Sequence, residues 1–153
     1  MGYKGGVRIR SCAALVLSLA ALAGCGGDDD ATWDGPPDPS ADGSVAVAGF
    51  VKYAQDVDEA WEASPAASAA EFLRLDEEDA SHTTIDEQRT GEGAGPATVV
   101  VTLDGLLDDS VRAARWTLSF EQVDSTYRLT SARWAQRCQP ERGHQDFTPE
   151  RCV

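Results

Sequence analysis

The chain has 153 residues with 13 basic and 26 acidic side chains, a formal net charge of -13, and four cysteines. That length suits one domain with a modest core, not two. The acid excess excludes nucleic acid as a partner, because phosphate binding needs a basic face, and it excludes docking by charge onto anionic lipid.

Lys4, Arg8 and Arg10 precede the apolar run AALVLSLAALA at residues 13 to 23, where Ser18 is the only polar side chain. Eleven helical residues span roughly 17 Å, about half of a bilayer core, so the run is too short for a transmembrane helix and reads as the core of an export signal. It ends in Leu22-Ala23-Gly24-Cys25. A branched apolar residue, two small residues and a cysteine resemble the lipobox of bacterial lipoproteins. The resemblance implies removal of residues 1–24 as signal peptide and a diacylglyceryl thioether on Cys25. Two acyl chains of the palmitate kind make a stable anchor where one is marginal. Ile9 separates Arg8 from Arg10, so this is not a twin-arginine signal. The mature chain would keep 10 basic and 26 acidic residues, a net of -16 over 129 residues, with its lipid as the membrane tether.

Residues 26 to 43 read GGDDDATWDGPPDPSADG, and thirteen of these 18 are Gly, Pro or Asp. Such a segment buries too little apolar surface to offset its ordering, so residues 25–43 read as a lipidated cysteine followed by a disordered acidic spacer. Asp30, Thr32, Asp34 and Gly35 match the first positions of a calcium loop, but position 12 is Ala41 where a bidentate Glu is required. No metal site is inferred there.

One α+β domain is expected over residues 44–153. Val47, Phe50, Val51, Ala54, Val57 and Trp61 recur at spacings of three and four, which predicts an amphipathic helix from Val45 to Ala63, ended by Pro65. Residues 66 to 79 read as a shorter second helix whose solvated end is Asp76-Glu77-Glu78-Asp79. Four strands follow: a weak one at 82 to 89, then 97 to 107, 110 to 123 and 126 to 138, with turns at Asp108-Asp109 and Asp124-Ser125. Pairing the last three as tight hairpins sets Val99 opposite Leu118, Val101 opposite Trp116 and Leu103 opposite Ala114. It also sets Phe120 opposite Leu129 and Leu118 opposite Ser131. One face of the sheet is then apolar and the other carries Ser, Thr and charge, with Glu121 opposite Arg128.

The expected fold is a pair of N-terminal helices packed on one face of a curved antiparallel sheet of about four strands. Helices followed by a meander of long strands over residues 45 to 138 resemble the cystatin-like or NTF2-like α+β roll. That group includes small-molecule enzymes, binding modules and accessory domains of envelope proteins, so the resemblance implies a fold more than a function.

Cys12 leaves with the signal peptide and Cys25 takes lipid, which leaves Cys138 and Cys152 to pair in a disulfide-permissive compartment. The bond would tie the C-terminal tail, with Phe147 inside the loop, onto the sheet. Two cysteines 14 apart with His144 do not match a zinc spacing. His82 and His144 belong to no HExxH pattern, and no nucleophile elbow is present, so no catalytic residue and no cofactor is inferred.

A pocket between helix and sheet is the best candidate site. The expected register turns Ser131 and Arg133 toward the apolar face, with Arg133 opposite Trp116, where it would bind a ligand anion or pair with Asp56 or Glu59. Trp134 falls on the polar face opposite Arg115, placed for cation–π stacking under the tail. Charge is uneven: residues 28 to 109 carry a net of -18 and residues 110 to 153 a net of +2.

The sequence therefore points to a membrane-anchored, extracytoplasmic lipoprotein whose domain binds or scaffolds at the cell envelope, with an envelope protein or a small molecule as partner. The alternative is an NTF2-like small-molecule-binding protein or enzyme with Trp116, Ser131 and Arg133 lining its pocket. The Ala, Gly, Asp and Arg bias fits a GC-rich actinobacterial source.

Overall fold

The computed structural model describes residues 31–91 and 95–153. The expected signal peptide over residues 1–24 and the expected lipidation at Cys25 lie outside the described residues. Among the described residues the fold is α+β, with two α-helices against a five-stranded antiparallel sheet. Strand β1 is Ser44–Val45, helix α1 is Ala48–Val57 and helix α2 is Pro65–Leu73. The remaining strands are β2 (Ala80–Arg89), β3 (Ala97–Leu106), β4 (Val111–Val123) and β5 (Thr126–Cys138). The spatial order is β1-β5-β4-β3-β2.

The fifth strand is β1, where the helical periodicity predicts the start of a helix. Ser44 pairs with Arg133 and Val45 with Ala132. Gly43 makes this docking tight: it has a φ of 81°, and a Cβ there would lie 2.5 Å from the Trp134 carbonyl oxygen. Its own carbonyl accepts from the Trp134 N–H at 2.7 Å.

The predicted long helix is two pieces. Asp58 turns into the left-handed region (φ 51°) and ends α1, a conformation that a short polar side chain tolerates. A 3-10 turn at Ala60–Ala63 follows, held by a reciprocal capping box between Glu59 and Glu62. Ser64 caps α2, and Pro65 occupies its first turn rather than ending the helix before it. Trp61 still reaches the core, 5.5 Å from the Phe50 ring. Helix α2 stops at Leu73, short of the predicted residue 79. Asp76 to Asp79 would have set four carboxylates at the negative end of the helix dipole.

Strands β3, β4 and β5 carry the core. Val99, Val101, Leu118 and Phe120 are essentially inaccessible, and Phe50, Ala69 and Phe72 of the helices pack on them. Trp33 joins this core from the segment expected to be a spacer. Its indole lies 5.3 Å from Phe50 and 5.7 Å from Phe72, and its N–H donates to the Phe72 carbonyl at 2.8 Å. That carbonyl lies in the last turn of α2, where no helical partner exists.

Candidate functional site

The β3–β4 register is the expected one, with Val99 opposite Leu118, Val101 opposite Trp116 and Leu103 opposite Ala114. The β4–β5 ladder begins as expected, Phe120 opposite Leu129, and then shifts. Ser119 faces Ser131, so Thr130 is an extra residue on β5, a bulge whose hydroxyl donates to the Ser119 carbonyl at 3.0 Å. Leu118 consequently sits opposite Ala132 and not Ser131.

That single residue inverts every side chain beyond it. Ser131 and Arg133 lie exposed on the face away from the helices, while Trp116 packs half-buried against the core. The structure does not bring the three together. Arg133 pairs across from Thr117, not Trp116, and donates to the Asp42 carbonyl at 2.9 Å rather than pairing with Asp56 or Glu59. Trp134 moves the other way: it sits opposite Trp116 and packs on the core. The signal was in the alternation, because Tyr127 and Leu129 are apolar at odd positions whereas Ala132, Trp134 and Cys138 are apolar at even ones.

The opening between helix and sheet lies at another place. Helix α1 has ten residues and spans about 15 Å, whereas the thirteen residues of β4 or β5 span about 43 Å. The β4–β5 hairpin therefore extends past α1, and a cavity of about 140 Å³ opens between them. Phe50, Ala54, Tyr127 and Leu129 form its walls, with Gln55, Glu62 and Arg128 at the rim. A dry apolar cavity of about 150 Å³ admits a molecule the size of benzene. Behind it runs a polar brace. Arg89 donates to the Tyr127 hydroxyl at 3.0 Å and pairs with Glu87, and Glu87 accepts from the Ala66 N–H in the first turn of α2 at 3.2 Å.

The tail forms the second built feature. Cys138 and Cys152 are disulfide-bonded, and Thr148 bridges Gln136 on the outer edge of β5. Phe147 lies on the polar face, where the Arg115 guanidinium stacks over its ring at 3.8 Å and Arg137 approaches at 5.2 Å. Stacking under the tail thus involves Arg115 with Phe147 rather than with Trp134. His144 bridges the loop, Nδ1 against the Asp146 carbonyl at 2.8 Å and Nε2 against the Glu150 carbonyl at 2.9 Å. Two acceptors require two N–H donors, and these bonds raise the imidazole above its usual pKa of 6.5. Cys138, His144 and Cys152 lie within metal-ligating distance of one another. With both sulfurs in the disulfide, the trio offers no thiolate to a metal.

Asp104 ties the polar face together, pairing with Arg137 at 3.2 Å and Arg112 at 3.4 Å. Burial pushes its carboxyl up, but the Gly105 N–H and the two arginines outweigh this and leave it lowered. Glu121 pairs with Arg128 at 3.3 Å. No family of known proteins, no curated protein and no solved structure matches this chain.

Proposed function

We propose that this chain is an exported lipoprotein, cleaved before Cys25 and held by lipid on that residue at the outer face of the cell membrane, where its single domain binds or scaffolds and does not catalyse. The observation that carries this reading is Leu22-Ala23-Gly24-Cys25 at the end of an eleven-residue apolar run behind three basic residues. No helix of the described residues is long and apolar enough to cross a membrane, so the reading rests the anchor on the lipid. A roll of the cystatin-like or NTF2-like kind fits the order of helices before a long-stranded meander. Cys25→Ala should release the protein from membranes that have been washed with high salt. Retention of that variant in the membrane fraction overturns the proposal.

The cavity under the β4–β5 hairpin favours a second reading, in which the domain takes a small molecule. Its carbon walls and the polar rim of Gln55, Glu62 and Arg128 suit a ligand of one apolar ring with a polar substituent. Indole is a probe of that size and character. It should shift the Tyr127 and Leu129 resonances in NMR spectra, and Ala54→Leu, which fills the space, should abolish the shifts. Shifts elsewhere, or shifts that survive Ala54→Leu, remove the cavity as the site.

A further inference from the structure

Strand β2 ends the sheet, and nothing among the described residues pairs with its outer side. Eight of its ten residues are exposed, so the strand stands largely clear of the core. One bond reveals where its free backbone groups point. The Thr90 N–H donates to the Pro96 carbonyl at 3.2 Å, which continues the β2–β3 register from Arg89 opposite Ala97 and makes that next pair a hydrogen-bonded one. Such pairs alternate along an antiparallel ladder. His82, Thr84, Asp86 and Gln88 therefore direct N–H and C=O toward β3. Ser81, Thr83, Ile85, Glu87 and Arg89 direct theirs outward.

An edge of this kind is ordinarily blunted by proline, lysine, a bulge or shortness. β2 is ten residues long, lacks Pro and Lys and keeps one register against β3 throughout, and its inward-facing charges, Glu87 and Arg89, are paired with each other. Its centre, Thr83-Thr84-Ile85, is β-branched at every position. Ile85 lies on the helix-facing side opposite Val101, yet it is 44% exposed.

We propose that the outer edge of β2 pairs antiparallel with β2 of a second copy of this chain, about a two-fold axis at Thr84, so that two sheets become one. Backbone and charge together select this register. With the axis at Thr84, Thr83 and Ile85 exchange outward-pointing bonds, and Ile85 gains the Thr83 methyl as cover. The same register sets the His82 imidazole opposite the Asp86 carboxylate twice, and Asp79 opposite Arg89 twice. An axis at Ile85 would lose both pairings, and one at Asp86 would bring two carboxylates face to face. A foreign strand would meet the same backbone edge, but reciprocal matching of this strand with itself is the mark of an isologous interface.

The test places a cysteine on the axis. In a non-hydrogen-bonded antiparallel pair the opposed Cβ atoms approach to about 4.5–5.5 Å, close to disulfide reach. Full-length protein carrying Thr84→Cys should become a reducible dimer on air oxidation. Gln88→Cys, on the same strand face and likewise exposed, should dimerise at least tenfold less. Adding Thr83→Pro to Thr84→Cys removes an outward N–H and leaves the β3 ladder bonds in place, so it should suppress the dimer at least tenfold. Ile85→Lys should do the same by blunting the edge without a backbone change. Equal dimer from Thr84→Cys and Gln88→Cys overturns the proposal. So does a dimer that survives both Thr83→Pro and Ile85→Lys, a cross-link to a different protein, or no dimer at all.

Discussion

Strand β4 belongs to two ladders that behave differently. Against β3 it runs eight consecutive pairs, from Ala97–Phe120 to Asp104–Ala113, in one register. Against β5 it shifts twice, at Arg112 and at Thr130. The regular ladder keeps strict alternation, so Val99, Val101 and Leu103 all reach the core and their neighbours all face away. The bulged ladder re-aims its side chains part-way along. It turns Arg133 out to the Asp42 carbonyl and Trp134 in to the core. A sheet can thus be half governed by period-two patterning and half by the position of one extra residue.

The largest way to break this contrast is to change the parity of β5 once more, beyond the bulge. Inserting an alanine between Ala132 and Arg133 would turn Arg133 toward the helices and Trp134 toward solvent, whereas deleting Thr130 would keep Ser131 opposite Ser119 and leave both faces as they are. Burying an unpaired guanidinium costs several kcal/mol, about the whole stability of a small domain. Urea titration of the insertion variant followed by tryptophan fluorescence should show no cooperative transition, and a normal transition would mean that the alternation beyond the bulge does not set the faces.

A smaller effect is expected at the tail, which leans on the bulged strand. Cys138→Ser opens a loop with a sequence separation of 14. The chain-entropy model assigns such a loop roughly 3 kcal/mol. The melting temperature should fall by several degrees under oxidising conditions, and an unchanged curve would show that the tail holds without its bond.

The smallest effect is that of His144. Carbonyls of Glu150 and Asp146 hold its folded-state pKa above 6.5. Its support for the tail is fully present below about pH 6.5 and fades as pH rises through the raised value. The melting temperature should decline slightly over that window relative to His144→Gln, which carries no titrating ring. Parallel profiles would show that the imidazolium contributes nothing to the tail.

Legibility followed the same division. The α+β class and four of the five strands were readable from β-forming runs between turn residues, and the β3–β4 register because apolar residues alternate there without interruption. The Glu121–Arg128 pair was readable too, since it precedes the bulge. The candidate pocket of Trp116, Ser131 and Arg133 depended on extending regular alternation across Thr130, and the structure separates those residues. The real cavity comes from a mismatch in length between α1 and the β4–β5 hairpin, and α1 was shortened by a left-handed Asp58 that helical periodicity alone does not reveal. Trp33 was hidden for a related reason. A segment dominated by Gly, Pro and Asp reads as solvated, and composition is blind to one indole that finds an orphan carbonyl at the end of α2.

Sequence by itself determined the apolar and polar faces within each regular strand, the two hairpin turns and the pairing of Cys138 with Cys152, because each depends on neighbours along the chain or on a choice among very few thiols. Tertiary structure decided where the ladder slips, where α1 gives way to a 3-10 turn, how Gly43 lets β1 close on β5 and where Trp33 docks. Those outcomes balance local preference against the burial of a few aromatic rings and the satisfaction of a few backbone groups. The partners in that balance lie tens of residues apart and meet only once the chain has folded.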